Sequence, residues 1–379
     1  MANPKTVILS LGSNLGTRYY NLQKAVFLLQ HKVGPVIATS GIYKTPSWGF
    51  KGEKFLNACI SVHTQKEPVE VLSELLKIEK ELGRNRGEGE GYQSRIIDID
   101  LLYYENLICQ SEQLNLPHPQ LQFRKFVLKP LADIAPQFYH PVLKKDTRNM
   151  LQECKDEAIL IPFGKPLYKN YKELFKAHHF ITIEGNIGAG KTTLATKIAS
   201  DFNAKTVLER FADNPFLPKF YEDQERYAFP LEMSFLADRY QQFTEDTKQL
   251  DLFKDFMVSD YDIYKSLIFA NITLSKEEFI LYRKLFSLMY KEIVKPGIYI
   301  YLYQTPLRLL ENIAKRGRSY EAEINESYLE KINRGYLDFL KTYPLDQQLI
   351  LDISELDFVN KKSDYDYILD RISEQLLKE

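Results

Sequence analysis

Cysteine is scarce in this sequence. Cys59, Cys109 and Cys154 stand far apart, with no CxxC pair. That excludes a zinc ribbon and a disulfide framework and suits reduced thiols in a cytosolic protein. Neither charge is in excess, with 50 Lys+Arg against 51 Asp+Glu, so the basic surplus of a dedicated nucleic-acid binder is missing. No apolar run approaches the ~20 residues of a membrane span. The opening MANPKTVILSLGSN lacks the longer apolar run and cleavage segment of a secretory signal. A cytoplasmic protein with small-molecule partners, and neither nucleic acid nor membrane as a partner, is expected. No repeat relates the two halves, which reads as a fusion of unlike parts. What is present is ample: 379 residues, enough for two or three domains, and 25 Tyr and 23 Phe to bury.

The first half reads as short strands and helices in alternation. A β-rich run fills 6–11 and is closed by Gly12, Ser13, Asn14 and Gly16; Leu22, Ala25, Val26 and Leu29 then share a helical face. Strands are expected around 36–43 and 55–63. Val69, Leu72, Leu76 and Leu82 recur at helix spacing, with Gly83 as a stop, and a strand follows at 96–103. The order βαββαβ predicts a ferredoxin-like α+β sandwich, an antiparallel sheet with helices on one face. Periodicity fades around 157–179, where lysines gather. The boundaries are therefore set at a first domain over 1–160, a linker or surface arm over 161–178 and a second domain over 179–379. Strand candidates at 180–184, 256–259, 298–303 and 348–352 alternate with helices, which predicts an α/β domain with a parallel sheet.

Residues 185–192, Gly185-Asn186-Ile-Gly188-Ala-Gly190-Lys191-Thr192, fit the phosphate loop GxxxxGK[ST], with a β-run before it and a helix after it. Glycines let backbone N–H groups turn toward phosphate oxygens, Lys191 offers a point charge, and Thr192 can ligate Mg²⁺. ATP or another nucleotide is the implied ligand. Glu209 ends the next apolar run and can accept a proton from a hydroxyl nucleophile. Glu232 and Arg239 lie two helical turns apart on one face. Lys315-Arg316-Gly317-Arg318 has the composition of a lid that closes on phosphates.

These motifs resemble the deoxyribonucleoside kinase family from about residue 180 onward. The likeness takes in Glu209, Asn214-Pro215, Tyr221, the Glu232/Arg239 helix, Arg316-Gly317-Arg318 with Glu321, and Asp352 to Asp357-Phe358. It implies that Glu209 activates the sugar 5′-hydroxyl and that Tyr221 and Glu321 hold the 3′-hydroxyl. Arg316 and Arg318 would clamp phosphates, Asp352 and Phe358 would border the donor adenine, and Phe269 and Asp260 would line the acceptor site. Two departures stand out. Where the family has acid-Arg-Ser, Ser259 is followed by Asp260-Tyr261-Asp262; Asp260 keeps an acid, but Tyr261 cannot replace a guanidinium, which leaves Lys191 and the lid arginines to meet the charge. The base-reading position is Glu232 in place of Gln. An ionised carboxylate only accepts hydrogen bonds, so it prefers a base edge rich in donors: guanine would match through N1–H and N2–H₂, and adenine through its amino group if Arg239 serves the ring acceptors. Resemblance to bacterial purine-type members puts deoxyadenosine first and deoxyguanosine second. A nucleoside monophosphate kinase of the thymidylate-kinase type is the alternative; it would want a further basic site near Glu209, where Arg210 is the only arginine.

In the first half, Arg95-Ile-Ile-Asp98-Ile-Asp100 lies on a predicted strand, so Asp98 and Asp100 share a face. Such a pair suits Mg²⁺ bridged to phosphates. The Asp-x-Asp pattern alone is weak, since it recurs at Asp260/Asp262 and Asp364/Asp366. Its neighbourhood strengthens it: Arg84, Arg86 and Arg95 around a loop with Gly87, Gly89 and Gly91, then His118 and Arg124. Phe55 and Phe126 can sandwich a flat heterocycle whose edge Asn57 reads. With Ser10-Leu-Gly-Ser-Asn14, Tyr43-Lys-Thr45-Pro46 and Leu116-Pro-His118-Pro119, the series resembles 6-hydroxymethyl-7,8-dihydropterin pyrophosphokinase over about residues 7–141. The resemblance implies a ferredoxin-like fold and Mg²⁺ on Asp98 and Asp100. It implies a pterin between Phe55 and Phe126 near Asn57 and Thr45, and ATP phosphates on His118, Arg84, Arg95 and Arg124. Glu88, Glu90 and Tyr92 depart from the family's loop.

Together the halves imply a bifunctional enzyme using ATP and Mg²⁺, joining folate biosynthesis to deoxynucleoside salvage. A non-catalytic regulatory or assembly role for one half is the reading from another class. A homo-oligomer through the kinase half is expected, with Phe235, Leu236, Tyr240 and Phe243 offering either a contact or a core face.

Overall fold

Apolar residues fill Lys5–Ser13 (β1) so continuously that every residue from Val7 onward is buried. Such a strand belongs in the middle of a sheet covered on both faces. The computed structural model describes residues 3–48, 52–84, 94–210, 214–248, 253–291, 293–318, 321 and 323–378. They divide into two units, Met1–Glu173 and Leu174–Glu379.

The first unit continues with α1 (Arg18–Lys32), β2 (Val36–Thr39), β3 (Tyr43–Thr45), β4 (Phe55–Thr64), α2 (Pro68–Glu81) and β5 (Asp98–Tyr104). β6 (Cys109–Gln110), β7 (Asn115–Leu116), α3 (Lys125–Ile134), α4 (Thr147–Glu153) and β8 (Ile161–Pro162) complete it. β1 pairs antiparallel with β4 on one side and β5 on the other, and β2 and β3 share the far edge of β4. The single strand expected over 36–43 is therefore two. Ser40 interrupts it, its hydroxyl accepting a hydrogen bond from the Cys59 backbone and donating to Gly41.

Register sets the site. Ser10 stands opposite Cys59 and Asp100, and Gly12 opposite Asn57 and Asp98. With a period of two, these residues share one sheet face. Lower on that face Ile8, Cys59 and Leu102 pack with Val127, Leu128 and Leu131 of α3 and Met150 of α4. Helices thus cover both faces, not one, and the second layer leaves the upper end of the face open. The helix expected on Val69, Leu72, Leu76 and Leu82 is present but turned. Val71, Leu75 and Ile78 are buried, whereas Val69 is 55% and Leu76 39% exposed. This orientation brings Glu79 beneath β5, where its carboxylate accepts from the Ile99 backbone N–H at 2.9 Å.

The lysine-rich stretch expected as a linker begins as structure of the first unit. β8 pairs with β3, the Phe163 N–H donates to Ile42, and Tyr168 exchanges two hydrogen bonds with the Gln23 side chain. A short helix, α5 (Tyr171–Ala177), follows.

The second unit is built on β9 (Phe180–Gly185), buried throughout. Then come α6 (Lys191–Phe202), β10 (Lys205–Val207), α7 (Leu217–Glu222), α8 (Gln224–Thr247), β11 (Met257–Ser259), α9 (Tyr264–Thr273) and α10 (Lys276–Tyr290). β12 (Ile298–Tyr303), α11 (Pro306–Arg316), α12 (Glu326–Leu340), β13 (Gln348–Asp352) and α13 (Lys362–Leu376) follow. All five strands are parallel, in the order β10-β11-β9-β12-β13. The chain goes to one side of β9 and then the other, which opens a crevice at the carboxyl ends of its strands. Phe243 and Leu236 of α8 lie in the core beside the sheet, so the stretch offered for an oligomer contact faces inward. Among the described residues no helix is long and apolar enough to cross a membrane.

Candidate active sites

In the first unit the open end of the sheet face forms a cavity of about 170 Å³. Its floor is Ser10, Gly12, Asn57, Asp98 and Asp100; its walls include Thr45, Phe55, His118, Arg124 and Phe126. Gly12 is required by close approach, since a Cβ there would sit 3.0 Å from Asn57 Oδ1. Asn57 Nδ2 donates to Thr45 Oγ1 at 2.7 Å, which orients the amide and turns its carbonyl edge to the cavity floor. Trp48, missed by the sequence reading, lines the cavity with its ring 5.8 Å from Phe126. Its signal was the lone tryptophan of the chain, two residues past Pro46. Arg124 lies 5.9 Å over the Phe126 ring.

The charges are arranged differently from expectation. Arg84 donates to Asp98 at 2.5 Å and also pairs with Glu79, and Arg95 pairs with the other Asp98 oxygen. Arg95 lines the cavity, whereas Arg84 is not among its lining residues. Both guanidiniums meant for phosphates thus hold an acid. Asp100 is pushed up to about 7, by burial first and by Asp98 second. His118 is pushed down to about 4 by burial and Arg124. Its Nδ1 accepts from the Gln120 backbone, which leaves Nε2 as the donor of the neutral ring. Arg86, Gly87, Glu88, Glu90, Gly91 and Tyr92 of the intervening loop lie outside the described residues. No group of three or more potential metal ligands occurs among the described residues.

In the second unit the loop after β9 carries Gly188 and Gly190 at φ +82° and +84°, values that glycine alone adopts freely. Lys191 Nζ donates to the Asn186 carbonyl at 2.9 Å, while the Asn186 side chain is tied to Leu329 and Asn333 of α12. Gly185 lets the loop pass β12, because a Cβ would lie 2.8 Å from the Leu302 carbonyl. Thr192 donates to one oxygen of Asp260, and the other accepts from the Glu209 backbone N–H at 2.8 Å.

Two cavities flank this loop. One, of about 140 Å³, gathers Lys191, Thr192, Glu209, Tyr221, Glu232, Arg239, Asp260, Phe269, Arg316, Arg318 and Glu321. The other, of about 540 Å³, runs from Gly188 and Gly190 past Arg308 and Arg316 to Asp357, Phe358 and Asn360. Asp352 does not line it; its carboxylate accepts from the Ser354 backbone at the strand end. In the smaller cavity Glu209 is gripped from two sides. Arg239 reaches Oε1 at 2.8 Å and Lys265 reaches Oε2 at 2.5 Å. Burial pushes its carboxyl up, but Lys265 and Arg239 outweigh that and hold it down at about 2. Lys191 is pushed down to about 8, by burial and then by Lys265. Arg316 makes a forked contact with Glu321, and Arg318 reaches the same acid at 3.4 Å. Glu232 Oε1 accepts from Thr273 at 3.0 Å, while Oε2 has no partner. Burial pushes this carboxyl up to about 7 against the pull of Arg239.

Lys265 and Tyr328 line the cavity and were not anticipated. The only hint of Lys265 was a lysine one helical turn after the Asp260-Tyr-Asp262 motif. Tyr261 belongs elsewhere: fully buried, its ring meets Phe243 edge-on at 5.6 Å.

The deoxynucleoside kinase family matches residues 181–378, and the 7,8-dihydro-6-hydroxymethylpterin-pyrophosphokinase family matches residues 8–136. The chain is 40% identical over 203 residues to the deoxyguanosine kinase of Bacillus subtilis, covering 52% of this chain and 98% of that one. It is 32% identical over 211 residues to the deoxyadenosine/deoxycytidine kinase of the same organism, covering 52% and 95%. Over 138 residues it is 44% identical to the 2-amino-4-hydroxy-6-hydroxymethyldihydropteridine pyrophosphokinase of Porphyromonas gingivalis, covering 36% and 93%. The chain therefore belongs to two families, the 7,8-dihydro-6-hydroxymethylpterin-pyrophosphokinases through its first half and the deoxynucleoside kinases through its second.

Proposed function

We infer that the chain is a bifunctional ATP-dependent enzyme of the cytoplasm. Its first unit, with the strand order of a ferredoxin-like sandwich, transfers a pyrophosphoryl group from ATP to the hydroxymethyl oxygen of 6-hydroxymethyl-7,8-dihydropterin. Its second unit transfers the γ-phosphoryl group of ATP to the 5′-hydroxyl of a purine deoxyribonucleoside. One observation carries the reading. Each unit has its own cavity in which groups for a flat heterocycle meet groups for phosphates.

In the first cavity Phe55, Phe126 and Trp48 offer aromatic surface to the pterin and Asn57 an amide to its edge. His118 and Arg124 face the phosphates. Asp98 and Asp100 suit a divalent cation, because the repulsion that helps hold Asp100 up is what such an ion relieves. Mg²⁺ held there, and at Thr192 in the second unit, would offset phosphate charge and orient the donor. In the second cavity Glu209, ionised and fixed by two cations, accepts the proton of the sugar hydroxyl. Tyr221 and Glu321 flank the sugar, and Arg316 and Arg318 meet the phosphates as they exchange Glu321 for the donor.

The unpartnered oxygen of Glu232 favours a base with donors on its edge. Guanine brings N1–H and N2–H₂, so deoxyguanosine goes ahead of the deoxyadenosine that the sequence reading put first. The higher identity to a deoxyguanosine kinase supports the same order. Arg210 is exposed and pairs with Asp246, away from the cavity lining, which supports a nucleoside over a monophosphate as acceptor. A homo-oligomer through the second unit fits Leu281 and Leu288, exposed two turns apart on α10.

The test is ATP turnover with each acceptor offered separately to the wild type, Asp98→Ala and Lys191→Ala. The wild type should form AMP with the pterin and ADP with deoxyguanosine. Asp98→Ala should lose only the first activity and Lys191→Ala only the second; loss of both in one variant contradicts two independent sites.

A further inference from the structure

The nucleoside cavity has a cation that the motif reading did not supply. Position 261, where a basic residue would stand beside Asp260, holds a tyrosine sunk in the core. Lys265 comes instead from the first turn of α9. Its backbone N–H is anchored on the Asp262 carbonyl, and its ammonium lies 5.7 Å from the Phe269 ring. The side chain is nearly buried, lines the cavity beside Lys191, and donates to Glu209 Oε2 at 2.5 Å. Glu209 is faced by Lys265 from α9, Arg239 from α8, Lys191 from the phosphate loop, Asp260 at the end of β11 and Glu184 at the end of β9. Of the two cations that bind its carboxylate, Arg239 is also committed to Ser266 at 2.9 Å, whereas Glu209 is the hydrogen-bond acceptor that holds the Lys265 ammonium.

Resting on the nucleoside-kinase reading above, we propose that Lys265 is the positioning residue of phosphoryl transfer, holding the Glu209 carboxylate on the acceptor hydroxyl and passing to the transferred phosphoryl group once Glu209 takes the proton. In that step the 5′-oxygen bonds to the γ-phosphorus and its proton goes to Glu209. The bridging P–O bond breaks, leaving its electron pair on ADP. Protonation removes the charge that held Lys265, and the negative charge still present lies on phosphate oxygens. A lysine suits this hand-over because its three donors sit on a flexible stem.

The experiment compares the full-length wild type with Lys265→Met and Lys265→Arg, using deoxyguanosine and ATP. In Lys265→Met, kcat should fall about 100-fold, as for loss of an acid–base group's support, with the nucleoside KM within about threefold. Its acidic limb should move to higher pH, because Glu209 loses the cation that holds it down. Lys265→Arg should recover at least about tenfold of that loss by restoring charge. Nucleoside binding by calorimetry reports folding of the site, and Lys265→Gln takes the place of Lys265→Met if the latter does not bind. A kcat within threefold of wild type, or a fall in kcat with the acidic limb unmoved, overturns the proposal. A wild type that phosphorylates no deoxynucleoside overturns the underlying reading instead, which keeps the two failures distinct.

Discussion

Glu232 is a buried carboxyl without a full set of partners. Burial raises it to about 7 from an ordinary value near 4.5. A carboxyl raised on folding favours the fold below its unfolded value, and that benefit fades as pH rises through the folded one. Replacing it by Gln removes the titration. Glu232→Gln should therefore gain stability over wild type between pH 5 and pH 8, by on the order of 3 kcal/mol, read from urea melts at both pH values. A constant difference across that range would contradict a raised carboxyl. The amide also donates, so the variant should lose preference for deoxyguanosine over deoxyadenosine by at least about tenfold in kcat/KM, the scale of one unmatched buried polar contact. In the first unit Asp98 is the shared acceptor of Arg84 and Arg95. Asp98→Asn keeps shape but gives up the charge, so AMP formation should fall by two orders of magnitude or more, while binding of the pterin alone changes little; fluorescence titration of the pterin separates the two.

Two interleaved stripes on α2 show how far an element can be read from sequence. Val69, Leu72 and Leu76 have helical spacing, and so do Val71, Leu75 and Ile78; only contact with the sheet decides between them, and the second set is inside. Leu75→Ala should cost about 2–5 kcal/mol, and Leu76→Ala less than about 0.5 kcal/mol. A larger loss for Leu76→Ala than for Leu75→Ala in thermal melts would mean that the helix is turned the other way. The strand–helix alternation of the second unit and its phosphate loop were legible because each demands particular residue types at fixed spacing. Gly188 is such a case, since a Cβ at its positive φ would lie 3.0 Å from the Leu309 carbonyl. Gly188→Ala should abolish nucleoside phosphorylation and spare the pterin reaction. Lys265 and Trp48 were illegible for the opposite reason. A helix start or a loop can deliver a long side chain to a cavity from many positions, so no spacing marks it. The pairing of Arg84 and Arg95 with Asp98 was hidden too, because arginines near an acid look the same whether they bind the acid or a phosphate.

At the scale of the molecule, the near-neutral balance of 50 basic against 51 acidic residues takes on local meaning. Several cations in the cavities are matched to carboxylates: Arg95 to Asp98, Lys265 and Arg239 to Glu209, Arg316 to Glu321. With no basic excess across the chain, duplex DNA should not compete with ATP at physiological salt; inhibition of either activity by added DNA would argue otherwise. The cavity floored by Asp98 and the cavity holding Glu209 belong to a single polypeptide, one in each unit. Synthesis of that polypeptide therefore delivers the two catalysts in a fixed ratio of one to one. A cell that carries this chain cannot adjust one activity against the other by expression alone; the balance is left to substrate supply and to turnover at each centre.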